Sequence, residues 1–118
     1  MGNNVIQEKS LDFAVRIVCL CRYLQDERHE YVMSNQIARC GTSVGANVRE
    51  SRNAQSQPDF ISKLSIALKE ADETQYWIEV LRRSKTIDEE MYNSLNTDVK
   101  EIIALLTSII KTTKTKNK

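Results

Sequence analysis

The chain has 118 residues, the size of one domain, and its 41% hydrophobic and 28% charged content is typical of a soluble globular protein. Three glycines and one proline are too few for the many turns of a β-sandwich, so the composition favours long helices. A net charge of +1 excludes the strongly basic domain that would by itself indicate a nucleic-acid partner. No apolar run is long enough to cross a membrane, and no N-terminal secretory signal is recognisable.

The cysteines Cys19, Cys21 and Cys40 are odd in number, which favours reduced thiols and a cytoplasmic protein. Cys19 and Cys21 would point about 200° apart on a helix, so they cannot pair with each other. His29 is the single histidine, and no Cys/His cluster completes a zinc site. We therefore interpret the cysteines as small buried hydrophobes and predict neither a metal nor any other cofactor.

Apolar spacing predicts a first helix over about residues 5–25, with Asn4 and Gln7 as a capping box. The second helix is predicted from an N-cap at Ser34 to about residue 53. The predicted apolar faces are Ile6, Phe13, Ile17, Cys21 and Leu24, with Ala14 and Leu20 beside them, then Met33, Ile37, Cys40, Val44 and Val48.

Ser56 is predicted to cap the third helix, with Asp59 completing a capping box, and Thr86 with Glu89 is predicted to start the fourth. Their apolar faces are Phe60, Leu64, Ala67, Ala71, Thr74, Ile78 and Leu81, then Met91, Leu95, Val99, Ile102, Leu106 and Ile109. Short connections make successive helices antiparallel neighbours. The sequence therefore predicts an all-α fold, an antiparallel up-down four-helix bundle forming one domain over residues 1–118, with a basic frayed tail from about residue 111.

The second helix carries more polar residues and glycines than a core requires. Ser43, Asn47 and Glu50 share one polar stripe. Gly41 and Gly45 each cost about 1 kcal/mol relative to Ala in a helix interior, which indicates close approach of another helix. That helix belongs either to the same monomer or to another subunit.

The third and fourth helices carry second apolar stripes. Ile66 and Trp77 flank Glu70 and Glu73, a combination that is unusual on the surface of a monomer. These widened faces favour a homo-oligomer. The fourth helix adds Tyr92, Ile103 and Ile110, and the residues predicted for an oligomer contact or an interhelical polar network are Ser43, Asn47, Glu50, Ile66, Glu70, Glu73 and Trp77.

No catalytic residue is predicted, and we expect a protein that is not an enzyme. A di-iron bundle requires Glu-x-x-His, whereas this chain has Glu73 three residues after Glu70. Arg22 and His29 have roughly the spacing found in helical ribonucleases of the HEPN type, so a helical ribonuclease is retained as a remote alternative.

Basic residues occur in two clusters and at the C-terminus. They supply either solubility and helix-dipole compensation or sequence-independent contacts with phosphates. The candidates for contact with RNA or DNA are Arg49, Arg52, Arg82, Arg83, Lys111 and Lys114.

Two segments resemble the signatures of the 23S rRNA intervening-sequence protein family, which is related to the accessory variability protein of diversity-generating retroelements. They are QIARCGTSVGANVRE at residues 36–50, and DFI, IALKEADET and YW at residues 59–61, 66–74 and 76–77. The resemblance implies a four-helix bundle that assembles into a five-membered ring. It marks Ser43, Asn47, Glu50, Glu70 and Glu73 as shared polar positions. Retroelement members are similar to basic rings that bind nucleic acid and a reverse transcriptase, whereas this chain is nearly neutral.

Together these observations predict a non-enzymatic, ring-forming protein, a pentamer by resemblance, that binds RNA or DNA as an accessory or scaffold. The alternative is an oligomer that is purely structural or binds other proteins, without a nucleic-acid role. Neither expectation includes a membrane.

Overall fold

The computed structural model describes residues 2–116, with side chains described from residue 4 onward. Four α-helices account for most of this part of the chain, namely α1 (Gly2–Asp26), α2 (Val32–Ser51), α3 (Gln57–Arg83) and α4 (Glu89–Thr115). No strand occurs between residues 2 and 116. The predicted all-α four-helix bundle is therefore confirmed.

Contacts between successive helices run in opposite residue order, which makes the bundle antiparallel. Gln7 Nε2, near the start of α1, donates to the carbonyl of Val48, near the end of α2, at 2.9 Å. The same reversal joins α3 to α4, since Gln57 Nε2 donates to the carbonyl of Thr113 at 2.7 Å. The helices form an elongated molecule of 50 × 21 × 19 Å. No helix within residues 2–116 is both long and apolar enough to cross a membrane.

The predicted apolar faces form the core, although Met33, Phe60 and Met91 near the helix starts are only partly buried. Cys19 is exposed, so only Cys21 and Cys40 are the buried thiols that we expected. On α4, Ile110 is buried and Ile109 is only partly buried, although Ile109 was assigned to the core. The buried positions advance by four residues from Ile102 to Leu106 and again to Ile110, whereas the predicted spacing ended on a three-residue step. The largest fully buried side chains include Phe13, Ile17, Leu24, Ile37, Leu64, Ile78, Leu81, Ile102 and Leu106.

Both glycines of α2 pack against α1 within the monomer, which decides between the two interpretations of close approach. A Cβ atom on Gly45 would lie 3.1 Å from the carbonyl oxygen of Ser10. A Cβ atom on Gly41 would lie 2.8 Å from Cγ1 of Ile17. These positions therefore bring α1 and α2 together within one chain.

Helix starts were the least accurate predictions. Helix α1 already includes Asn4, so no capping box forms there, and the Gln7 amide binds α2 instead. Ser34 lies inside α2, because the Glu30 carboxylate accepts from the backbone N–H groups of Met33 and Ser34 at 2.8 and 3.0 Å. The Ser34 hydroxyl is buried, and it accepts a hydrogen bond from Gln25 at 2.9 Å.

The cap of α3 is confirmed and that of α4 is not. Ser56 Oγ accepts from the backbone N–H of Asp59 at 3.1 Å, as predicted. Asp88, rather than Thr86, caps α4 by accepting from the backbone N–H of Met91 at 2.8 Å. The tail predicted to fray from about residue 111 is helical to Thr115, because α4 continues its intrahelical hydrogen bonds past the core. Residues 117 and 118 lie outside the described part.

Candidate interaction surfaces

An ion cluster joins α2 to α3 at the centre of the predicted polar network. Arg39 donates to the carboxylate of Glu70 at 3.2 Å and also binds the carboxylate of Glu73. Trp77 Nε1 lies 3.4 Å from the same Glu73 carboxylate. Arg39 was not among the residues predicted for this network. It lies one turn before Ser43 on the same stripe and is opposite in charge to the glutamates, so the sequence does contain a signal for it.

The other predicted polar residues form separate contacts. Asn47 Nδ2 donates to the backbone carbonyl of Ser43 at 2.9 Å, inside α2. Glu50 pairs with Lys63 of α3 at 3.4 Å. The predicted residues therefore form a band of local contacts, some inside α2 and some between α2 and α3.

Three exposed or half-buried apolar side chains of α3, Ile66, Tyr76 and Trp77, are called the α3 patch. Tyr76 and Trp77 adjoin each other, and Ile66 lies about 15 Å away along the helix, with Glu70 and Glu73 between. Ile66 is 42% exposed and Tyr76 is 61% exposed. The Tyr76 and Trp77 rings meet edge to face, with centroids 5.3 Å apart. Trp77 is partly buried against the core, so Tyr76 is the more accessible aromatic ring.

A second exposed apolar surface lies on α1, where the sequence analysis assigned only a core face. Leu11, Val15 and Val18 are exposed at spacings of four and three residues, so they share one side of the helix. Val15 is 56% exposed. We call these residues the α1 ridge. The helical period places these residues on the side of α1 away from Ile17, so this surface could have been predicted from the sequence.

The α1 ridge borders a groove of about 420 Å³ between α1 and α4. Its walls are mainly apolar, and Arg16 at its edge binds Asp98 and Ser94 of α4. The exposed Cys19 is part of the wall. The residues that line this α1/α4 groove are Val15, Arg16, Cys19, Leu20, Tyr23, Met91 and Leu95.

Charge is segregated along the long axis of the bundle. We call residues 2–13, 44–69 and 100–116 the terminal half and residues 14–43 and 70–99 the turn half. The terminal half carries nine Lys and Arg against five Asp and Glu, whereas the turn half carries seven against eleven. A chain that is nearly neutral overall therefore has a basic half and an acidic half.

The predicted basic contact residues divide between the two halves. Arg82 and Arg83 lie in the acidic turn half, and both donate to the Glu79 carboxylate, at 3.0 and 2.9 Å. Arg82 also binds Glu89 at 3.1 Å and stacks 4.7 Å from the centre of the Tyr92 ring.

The remaining predicted contacts lie in the terminal half. Among the described residues, no carboxylate lies within 4 Å of a charged nitrogen of Arg49, Arg52, Lys111 or Lys114. All four side chains are exposed. The structure thus brings these four cations to one end of the bundle and separates them from Arg82 and Arg83.

The Glu79 carboxylate shifts the titration of its neighbours. Hydrogen bonds from Arg83, Tyr92 and Arg82 hold the pKa of Glu79 below its usual value. In turn, the hydrogen bond to Glu79 raises the pKa of the Tyr92 hydroxyl. Because the charges of Arg82 and Arg83 are compensated in place, this cluster serves to join α3 to α4.

A comparison with known protein families identifies the family of this chain. The family model described as 23S rRNA-intervening sequence protein matches residues 2–108. The chain belongs to this family. A solved structure from Bacteroides thetaiotaomicron, a protein of unknown function from the S23 ribosomal protein family, is 58% identical to it. The match covers 94% of this chain and 99% of that one, with a TM-score of 0.93. A comparison with curated proteins finds no match.

Arg22 and His29 are the residue pair considered for a helical ribonuclease. His29 lies in the α1–α2 connection with a left-handed backbone, φ 52°, and both His29 and Arg22 are exposed. No hydrogen bond joins these two side chains. Within residues 2–116, no group of three His, Cys, Asp or Glu side chains is arranged to hold a metal ion.

Proposed function

We propose that this protein is a non-enzymatic assembly protein that forms a ring of several copies and contacts the phosphate backbone of nucleic acid through its terminal half. The ring, with five copies by family resemblance, and the nucleic-acid contact are both parts of the proposal. A cytoplasmic location and, as in the retroelement relatives, a reverse transcriptase partner extend the same proposal.

The separation of charge into two halves is the observation that carries the nucleic-acid part. Phosphate contacts need exposed, uncompensated cations and no base-specific groups, since their free energy comes largely from counterion release. Arg49, Arg52, Lys111 and Lys114 meet this requirement at one end of the molecule. The acidic turn half keeps the same polyanion away from the opposite end.

Assembly would increase the effect of this modest basic end. In a ring, each cation is repeated once per copy, so weak contacts act together at a high effective concentration. The exposed side chains of the α1 ridge and the adjoining Tyr76 and Trp77 rings of α3 support self-association, because contiguous apolar surface on a soluble protein commonly marks a contact.

A titration monitored by fluorescence anisotropy tests the nucleic-acid part. Labelled RNA and labelled DNA are titrated with the protein at about 50 mM and about 200 mM salt, a range over which phosphate-driven binding falls steeply. We expect binding of both at low salt, a steep loss at higher salt and little dependence on base sequence.

Two double variants with the same loss of charge locate the contact. Arg49→Gln with Arg52→Gln should weaken binding by at least tenfold, whereas Arg82→Gln with Arg83→Gln should change it by less than threefold. The first pair loses uncompensated cations, and the second loses cations already paired with carboxylates. Absence of binding at low salt, or equal effects of the two pairs, would contradict the proposal.

The second candidate function is an oligomer that binds only other proteins. The mainly apolar α1/α4 groove beside the exposed α1 ridge favours it, because such a surface suits a protein partner better than a phosphate backbone. An assembled protein that binds neither RNA nor DNA at low salt would support this candidate.

A further inference from the structure

We propose that neighbouring copies in the assembly meet through two different surfaces, with the α3 patch of one copy packed against the α1 ridge and the α1/α4 groove of the next. The partner at both surfaces is a second copy of this chain. This inference rests on the proposed self-association and adds which faces meet and in which direction.

The two apolar surfaces lie on helices that do not touch each other. Within residues 2–116, each helix contacts its neighbours in the chain, and α1 also contacts α4, but no contact joins α1 to α3. Helices α1 and α3 are therefore diagonal in the bundle, and their exposed sides face away from each other. A contact between two different surfaces repeats from copy to copy and forms a ring when the rotation between copies divides a full turn, whereas a two-fold dimer uses one surface twice.

The direction of the helices suits such a contact. In an up-down bundle, α1 and α3 run parallel, and copies related by rotation about an axis along the bundle lie at equal height. Residues of α1 and α3 that share a height within one copy therefore meet between copies. The hydrogen bonds inside the bundle give those heights.

Ile17 and Thr74 lie at about the same height. Gly41 faces Ile17, and the adjacent Cys40 lies 3.2 Å from the hydroxyl of Thr74. Two residues farther along both helices, Tyr76 is level with the middle of the α1/α4 groove. The most exposed aromatic ring of the α3 patch thus reaches the groove at the height where the groove is open.

The alignment of Ile17 with Thr74 in height also determines which residues meet at the other end of the contact. It brings Leu11 of the α1 ridge to within one helical turn of the height of Ile66. Apolar groups of the two surfaces then meet at both ends, at Leu11 with Ile66 and at the groove with Tyr76. Both surfaces are exposed in the single copy.

Charges at the two ends of these surfaces are complementary in this arrangement. Glu8 precedes Leu11 by one turn on α1, and it shares its height to within one turn with Lys63 of α3. Lys63 pairs with Glu50 inside its own copy, so in this arrangement its ammonium group would lie between two carboxylates. Arg22 follows Val18 by one turn and is level with Trp77, where a guanidinium can stack on the indole ring. Opposite charges and a cation–π pair would flank the apolar contact.

Complementation between two single variants tests the contact. Val15→Asp spoils the α1 ridge and Tyr76→Asp spoils the α3 patch, and both side chains are exposed, so both variants should fold. We expect each variant alone to have the 13.6-kDa monomer mass by light scattering. A mixture should give a dimer of one copy of each, because it retains one intact pair of surfaces. Val32→Asp is the matched control, since Val32 is 73% exposed but lies outside both surfaces, and it should assemble like the wild type.

The outcomes separate this inference from the proposal on which it rests. A wild-type protein that stays monomeric at high concentration overturns both the self-association and the contact. An assembled wild type that is unaffected by either variant overturns only the contact. If Val15→Asp alone gives monomers and Tyr76→Asp still assembles, the α1 ridge pairs with itself and the contact between different surfaces is wrong. Monomeric variants that do not combine on mixing overturn it as well.

Discussion

Gly41 lies so close to Ile17 that a Cβ atom on the glycine would be 2.8 Å from Cγ1 and 2.9 Å from Cγ2 of the isoleucine. Ile17 is fully buried, so its side chain cannot turn away without disturbing the core. Absence of a side chain at position 41 therefore sets the distance between α1 and α2.

We expect Gly41→Ala to destabilise the protein. Alanine favours a helix interior by about 1 kcal/mol over glycine, but overpacking a tight core costs about 1–3 kcal/mol, and the fixed Ile17 side chain makes the second effect larger. Urea unfolding measures the change. In an Ile17→Ala background, the added methyl group should become neutral or stabilising because it occupies the vacated space. If Gly41→Ala alone stabilised the protein, α1 and α2 would not pack this closely.

Helix α4 provides a test of capping. Asp88→Ala should lower the free energy of unfolding by about 1 kcal/mol, because it leaves the backbone N–H of Met91 without its side-chain acceptor. Thr86→Ala is the control, and it should have a smaller effect, since the Thr86 hydroxyl bonds only the Ser84 hydroxyl. Thermal unfolding followed by circular dichroism measures the stability of both variants. If Thr86→Ala lost more stability than Asp88→Ala, Thr86 would be the cap of α4, as predicted from the sequence.

The Tyr92 hydroxyl should titrate at higher pH than in a free tyrosine, because its hydrogen bond to the Glu79 carboxylate, 2.9 Å away, raises its pKa. A raised pKa means that this interaction contributes stability below about pH 10 and loses it as the pH rises through the pKa of Tyr92 in the folded protein. Absorbance at about 295 nm, with Tyr92→Phe subtracted, follows the group. Glu79→Gln should lower the Tyr92 pKa, and an unchanged titration would show that the hydrogen bond does not form.

Cys19 reports on the proposed contact between copies. Burial raises the pKa of the Cys21 and Cys40 thiols, so both should react slowly with a disulfide reagent at neutral pH. Cys19 is exposed in the single copy but lies in the groove that the next copy would cover. We expect Cys19 to react slowly in the assembled wild type and at least tenfold faster in Val15→Asp. Equal rates in the two proteins would place the contact elsewhere.

The core could be predicted from the sequence because helical spacing alone fixes which side chains share a face. Phe13, Ile37 and Leu81 lie where the period places them. Helix starts were predicted less well, because capping depends on which nearby oxygen reaches the first N–H groups. Glu30 caps α2 from two residues outside it, and a local pattern centred on Ser34 does not reveal that contact.

The candidate surfaces depended more strongly on the fold. Arg49 and Arg82 look alike in the sequence, since each lies near the end of a helix with another arginine close by. Only the antiparallel arrangement places Arg49 in the basic half and Arg82 beside Glu79 in the acidic half. The charge separation arises from residues distant in sequence, so neither the net charge nor any local window predicts it.

Acetylation of lysines with and without bound RNA tests the central proposal most directly. Lys111 and Lys114 lie at the terminal end, and Lys85 lies in the turn half, so the protein carries its own internal control. Mass spectrometry measures the rate at each lysine. We expect saturating RNA to slow acetylation of Lys111 and Lys114 at least fivefold and to leave Lys85 within twofold of its free rate. Protection of Lys85 that equals or exceeds that of Lys111 and Lys114, or no protection at any of them, would contradict a nucleic-acid contact at the terminal half.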